Sequence, residues 1–211
     1  MTRSVQCTVW AGLLVAAGCV TPEVRYETIH EAAAEGNTHD VAAMVDGGQS
    51  INARGEHGMT PLHSAAAWGN ENIMAYLIRN GAEVNATNDW GLTALHIAAA
   101  RCHDHDVLFL LEHGADPNAP TNASWTPLHY AAARGNVQVT RTLLDAGANP
   151  DLQNQTGDTP LHRAARNASE DVVRLLLERG ADPALKNADG DTPAAAATRE
   201  GHANIAAIFG R

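Results

Sequence analysis

Aromatic residues are scarce in this chain: only 4% of its 211 residues are Phe, Trp or Tyr, so each tryptophan stands out. Cysteine is scarcer still, and three cysteines are too few for a disulfide-stapled scaffold. Fourteen basic residues face 24 acidic ones, and the resulting net charge of −10 argues against binding to nucleic-acid phosphates. The apolar fraction of 45% is nevertheless too high for a disordered chain. These observations indicate a folded, acidic protein.

The N-terminal segment has the features of a targeting signal. After a mostly polar start with one basic residue, Arg3, a largely apolar run extends from Val9 to Ala17. That run is too short to span a bilayer and is typical of a signal-peptide core. The residues Val15-Ala16-Ala17-Gly18-Cys19 resemble a bacterial lipobox, although that motif usually has Leu where this chain has Ala16. We predict a signal peptide over 1–18.

The lipobox resemblance implies both a modification and a location. Cys19 would be lipidated and become the mature N-terminus, and residues 19–26 would form a short tether. The protein would be lipid-anchored in the bacterial cell envelope and face the periplasm. The outer membrane is favoured because Val20, rather than Asp, follows the cysteine. Cleavage by an ordinary signal peptidase is the alternative, and it would yield a secreted or soluble periplasmic protein.

A period of 33 residues organises the rest of the chain. Threonines recur with this spacing at Thr60, Thr93, Thr126, Thr159 and Thr192. They open segments such as TPLHSAAAWGN and TPLHYAAARGN, and ETIHEAAAEGN falls in the same register. A threonine cap followed by proline starts a helix, and the recurring glycines end one. Each unit therefore predicts two short helices, neither of which is long enough to be stable alone.

These motifs resemble those of the ankyrin repeat family over residues 27–211. The resemblance implies an all-α repeat solenoid of about six units, in which helix pairs alternate with β-hairpin-like loops and the terminal units act as caps. The approximate units are 27–54, 55–87, 88–120, 121–153, 154–186 and 187–211. Stability in such an array comes from the stacking of neighbouring units.

Eleven histidines raise the hypothesis of a metal site. Five of them occupy the Thr-x-x-His position, where the family uses the ring to hydrogen-bond between neighbouring units: His30, His63, His96, His129 and His162. Cys102, His103 and His105 have ligand chemistry, but zinc needs three or four side chains at one point, and consecutive residues in a tight turn rarely converge. We therefore predict no metal or other cofactor, and a buried, inert Cys102. A metal- or redox-responsive protein that uses these three residues is the alternative.

In this family, function comes from residues that the repeat does not specify. By resemblance, these lie at the loop tips and at the exposed ends of the first helices, which line a concave face. The predicted partner-binding residues are Met59, Trp68, Trp90, Leu92, Arg101, Trp125, Arg134, Arg166 and Arg199. Trp and Arg are enriched at binding hot spots, so we expect a protein partner with an acidic and partly apolar patch. The alternative is that the tryptophans pack between loops and the arginines pair with nearby carboxylates.

No sequence motif for catalysis is present. The chain has no glycine-rich phosphate loop, no nucleophile elbow and no catalytic dyad outside the repeat pattern. We therefore expect a non-catalytic protein–protein interaction module without a small-molecule substrate. Its role would be that of an immunity protein or inhibitor, or of a helper that positions a periplasmic enzyme.

Overall fold

The structure is a computed structural model that describes residues 26–210. The predicted signal peptide, the lipidation site Cys19 and all of the tether except Tyr26 lie outside the described residues. The described part of the chain consists of α-helices, two short 3₁₀ helices and loops, and it contains no β-strand. The predicted all-α repeat architecture is confirmed.

The helices follow one another in pairs. The first helices of the pairs are α1 (Ile29–Ala34), α3 (Pro61–Trp68), α5 (Ala94–Arg101), α7 (Pro127–Arg134), α9 (Pro160–Arg166) and α11 (Pro193–Arg199). The second helices are α2 (Thr38–Asp46), α4 (Glu71–Arg79), α6 (Asp104–Glu112), α8 (Val137–Asp145), α10 (Glu170–Glu178) and α12 (Ala203–Ala206). The 3₁₀ helices cover Glu56–Gly58 and Ala207–Gly210. The predicted unit boundaries stay a prediction, because loop, helix and helix repeat without interruption.

Each first helix begins and ends for a local reason. Thr60 caps α3 in an extended conformation, and its backbone N–H donates to Nδ1 of His63 at 3.1 Å. Pro61 occupies the first helical position, where its missing N–H costs nothing. The helix ends at Gly69, whose φ of 74° lies in the left-handed region that glycine tolerates best. The same turn is made in other units by Cys102 and Ala168, with φ of 61° and 54°.

The helices form two layers. The first helices pack on one another in series from α1 to α11, and the second helices pack in a parallel series from α2 to α10. The first layer buries a leucine in each regular unit: Leu62, Leu95, Leu128 and Leu161. Paired alanines such as Ala65 and Ala66 are also fully buried, and their small side chains let neighbouring helices approach closely. The core is therefore continuous along the array, as expected for a solenoid.

The loops that precede the first helices stack on one another. Each loop closes on itself through a backbone hydrogen bond, as from Asn88 N to Leu92 O at 3.0 Å. One further backbone bond joins each tip to the next, as from Asp89 N to His57 O at 3.1 Å. Residues 33 apart are therefore held side by side at the tips. Between residues 26 and 210, no helix is long and apolar enough to cross a membrane.

Candidate functional site

Five histidines, four of them buried, connect the loops to the first helices. Each ring donates from Nε2 to a loop carbonyl of the next unit: His30 to Met59, His63 to Leu92, His96 to Trp125, His129 to Asp158 and His162 to Asp191, at 2.8–3.1 Å. In the last four, Nδ1 accepts the N–H of the capping threonine, which assigns the proton to Nε2. The predicted hydrogen bonds between units are confirmed. We call these five residues the histidine ladder.

Burial keeps four rings of the ladder, those of His63, His96, His129 and His162, neutral. Desolvation lowers the pKa of His96 and of His129 from 6.5 to about 4, and it lowers the pKa of His63 and His162 as well. A neutral ring can accept on Nδ1 and donate from Nε2 at the same time, whereas a protonated ring has no acceptor. These four rings therefore hold the loop carbonyls in fixed positions at neutral pH.

The ladder presents three equivalent positions per unit on one surface, which we call the interaction face. The tip positions are His57, Trp90, Ala123, Thr156 and Asp189. The positions before each threonine cap are Met59, Leu92, Trp125, Asp158 and Asp191. The helix-end positions are Trp68, Arg101 and Arg134, and the arginines of the last two units, Arg166 and Arg199, lie one residue earlier in the repeat. Tip and helix end are in contact, because Arg199 Nη1 donates to Asp189 Oδ2 at 3.1 Å.

Two tryptophans are the most exposed large apolar side chains in the described part of the chain. Trp68 is 66% exposed at the end of α3, and Trp90 is 51% exposed at the following loop tip. The ring of Trp90 lies 4.8 Å from the ring of His57, its counterpart in the preceding unit. Met59 and Leu92 are half-buried next to the caps. We call Trp68 and Trp90, with Met59 and Leu92, the tryptophan patch.

Trp125 is placed differently from the other two tryptophans. Its ring is half-buried, with Tyr130 at 5.0 Å between ring centroids and the guanidinium of Arg163 at 4.6 Å over the ring. Arg163 belongs to the next unit, so Trp125 packs between units four and five. Its contribution is therefore chiefly to stability, and only the remaining exposed part of the ring is available to a partner.

The arginines divide into two groups. Arg101 and Arg134 are exposed, and neither guanidinium makes an ion pair or a hydrogen bond with residues 26–210. Arg166 lies 3.7 Å from Asp158 Oδ1, and Arg199 contacts Asp189 and Asp191. The predicted row of arginines is therefore neutralised at its C-terminal end, while its middle remains free to meet negative charge.

The comparisons agree with this geometry. A model of the family described as ankyrin repeats in three copies matches residues 13–88, 29–121, 76–154, 119–187 and 146–209. The chain belongs to the ankyrin repeat family. No curated protein matches the chain significantly. Ankyrin repeats are generally protein–protein interaction modules and are typically non-catalytic.

In this ankyrin array, the chemistry of the interaction face changes along the chain. The position before the cap is apolar in units two to four, at Met59, Leu92 and Trp125, and acidic in units five and six, at Asp158 and Asp191. Both aspartates fall on the surface that the repeat alignment predicts to be variable, but they were not among the predicted binding residues, and Arg163 was missed altogether. Their register was visible in the repeat alignment, and a carboxylate in register beside a recurring arginine is the signal that indicates their pairing.

The expectation of a buried Cys102 is wrong. Cys102 is exposed because it lies in the left-handed turn between α5 and α6, outside the buried core. His103 Nδ1 bonds to Ala66 O at 3.1 Å and is thereby committed to the preceding unit. No group of three potential ligands converges here or elsewhere in the described residues. The recess of about 420 Å³ next to Cys102 therefore gives the metal alternative no geometric support.

Proposed function

We propose that this ankyrin repeat protein is a non-catalytic binding protein that docks one protein partner on its interaction face. The observation that carries the proposal is the exposure of Trp68 and Trp90 on that face. Exposed tryptophans in an acidic chain with few aromatic residues are costly to leave in water and are enriched at interface hot spots. Packing a partner over them removes apolar surface from water.

The partner has an apolar contact region bordered by carboxylates. Its apolar part covers the tryptophan patch, and its carboxylates reach Arg101 and Arg134, which have no internal partner in the described chain. Arginine forms bidentate hydrogen bonds with carboxylates, and such pairs add geometric specificity. The partner is a protein of the envelope. Binding either blocks the partner, which is then a toxin or an enzyme, or supports the partner, which is then an enzyme.

A binding experiment with matched variants tests this proposal. Trp68→Ala/Trp90→Ala removes the two exposed rings of the tryptophan patch, whereas Leu108→Ala removes a comparably exposed apolar side chain from the second-helix layer. We expect the wild type and Leu108→Ala to capture the same protein from envelope extract, and the double variant to lose it. All three should unfold at similar temperatures. Retention of the same protein by the double variant would contradict the proposal.

The location is proposed from the N-terminal sequence. The lipobox-like residues before Cys19 support lipidation at that cysteine and a tether that holds the array close to a bacterial membrane, facing the periplasm. In cells, Cys19→Ala should move the protein from the membrane fraction, where we favour the outer membrane, to the soluble fraction. An unchanged distribution would refute the lipid anchor without touching the binding proposal.

A further inference from the structure

The C-terminal end of the interaction face contains a recess that the tryptophan patch does not explain. It has a volume of about 320 Å³ and lies between the loops of units five and six and helix α9. Asp158, Arg163, Arg166 and Asp189 line it, and Arg199 reaches Asp189 from α11. We call these five residues the arginine–aspartate cluster.

At the inner end of the cluster, a buried carboxylate accepts a hydrogen bond on each oxygen. Asp158 is only 2% exposed. Its Oδ1 accepts from Asn187 Nδ2 at 2.8 Å, and its Oδ2 accepts from Arg163 Nη1 at 3.4 Å. Both carboxylate oxygens are therefore committed to neighbours, and a buried carboxylate held in this way is a fixed part of the fold.

Arg166 is poorly satisfied in comparison. Its side chain is 24% exposed, and its nearest carboxylate oxygens lie at 3.7 Å in Asp158 and 3.9 Å in Asp189. Both distances are too long for hydrogen bonds, and the guanidinium makes none with residues 26–210. A guanidinium carries five N–H donors, and leaving them unpaired in a largely buried place is unfavourable. Arg166 therefore has donors available at the recess.

Asp189 closes the outer end of the recess only loosely. Its side chain is 60% exposed at the loop tip, and among residues 26–210 its one short contact is the bond from Arg199 Nη1 at 3.1 Å. Arg199 also contacts Asp191, so it keeps a carboxylate partner if Asp189 turns outward into water. An exposed ion pair of this kind adds little to stability. Asp189 is thus free to be exchanged for another carboxylate.

We propose that this recess receives one carboxylate side chain, from a Glu or Asp of the protein partner, which binds to Arg166 and Arg199 and displaces Asp189. This inference rests on the proposed function, since it places a second contact on the same face. The charge of the cluster favours a carboxylate over phosphate. If another singly charged carboxylate takes the place of Asp189, the net charge of the cluster is unchanged. The planar guanidinium fork also matches a carboxylate directly.

A capped tri-glutamate peptide is the probe, with capped tri-glutamine and inorganic phosphate as comparison ligands. Binding is followed by the ¹H–¹⁵N signal of the Arg166 Nε–H group in the full chain. We expect tri-glutamate to shift this signal in a saturable manner and tri-glutamine to leave it unchanged. Equal or tighter binding of phosphate would identify a general anion site and overturn the proposal, as would the absence of any shift.

Variants separate the recess from general electrostatics. Asp189→Asn removes the displaced group and should tighten tri-glutamate binding about five-fold, the upper range for one exposed ion pair. Arg166→Gln should abolish saturable binding, monitored by the Arg199 signal, whereas Arg174→Gln makes the same charge change on α10 and should not. If Arg166→Gln fails to fold, Arg166→Lys keeps the charge but loses the fork, and binding should still weaken several-fold. Equal effects of Arg166→Gln and Arg174→Gln would refute the site while leaving the tryptophan patch untouched.

Discussion

The histidine ladder should make the stability of the array depend on pH. The folded pKa values of His96 and His129 are about 4, because burial disfavours the charged ring, whereas an exposed histidine titrates near 6.5. The unfolded chain therefore takes up protons first as the pH falls. The contribution of His96 and His129 is complete above pH 6.5 and is lost progressively as the pH falls towards 4.

The magnitude follows from these pKa values. Between pH 7 and pH 5, each of His96 and His129 should lose about 2 kcal/mol of its contribution, so together they remove about 4 kcal/mol. His63 and His162 add to this loss, because burial lowers their pKa in the same direction. Burial raises the pKa of Asp106, which acts in the opposite sense: that contribution is present at low pH and is lost as the pH rises.

Urea unfolding followed by circular dichroism at pH 7, 6 and 5 measures this dependence. His96→Gln and His129→Gln should each be less stable than the wild type at pH 7, because the hydrogen bonds between units are altered. Each should also reduce the difference between pH 7 and pH 5 by about 2 kcal/mol. His105→Gln, at an exposed position on α6, is the matched control and should keep the wild-type difference. If the wild type is equally stable at pH 5 and pH 7, or if the ladder variants keep the full difference, the reasoning is wrong.

Three further predictions concern single side chains. Cys102→Gly and Ala168→Gly should each raise the free energy of unfolding by about 1 kcal/mol in urea melts, since glycine relieves a left-handed backbone; unchanged or lower values would refute this. Trp125→Ala should lower the free energy of unfolding by about 2 kcal/mol, because it removes a ring packed between two units, whereas Trp68→Ala should lower it by less than about 0.5 kcal/mol. Equal losses of stability in calorimetry would contradict the conclusion that Trp125 is structural and Trp68 is not. Native protein should react rapidly with a maleimide at Cys102, and Cys102→Ser should remove one rapidly labelled thiol; slow labelling at that site would show it to be covered.

The sequence was sufficient to predict the structure of the repeated parts of this protein. Helix starts at threonine and proline, helix ends at glycine, and the 33-residue spacing are local signals, so they predict the helix pairs without knowledge of the fold. The bonds made by the histidine ladder were also predictable through the family resemblance, because every unit repeats the same geometry. The N-terminal expectations at 1–18 and Cys19 remain predictions from sequence.

Only the tertiary structure decided which variable residues are available to a partner. Trp90 and Trp125 both fell on the predicted face, but the guanidinium of Arg163 in the next unit lies over the ring of Trp125, whereas Trp90 at a loop tip is 51% exposed. Arg166 lies one residue earlier in the repeat than Arg134, and only Arg166 has a carboxylate of the next unit nearby, with Asp189 at 3.9 Å. Accessibility and pairing depend on neighbours one repeat away, and that information lies in the stacking of units rather than in the pattern of any one unit.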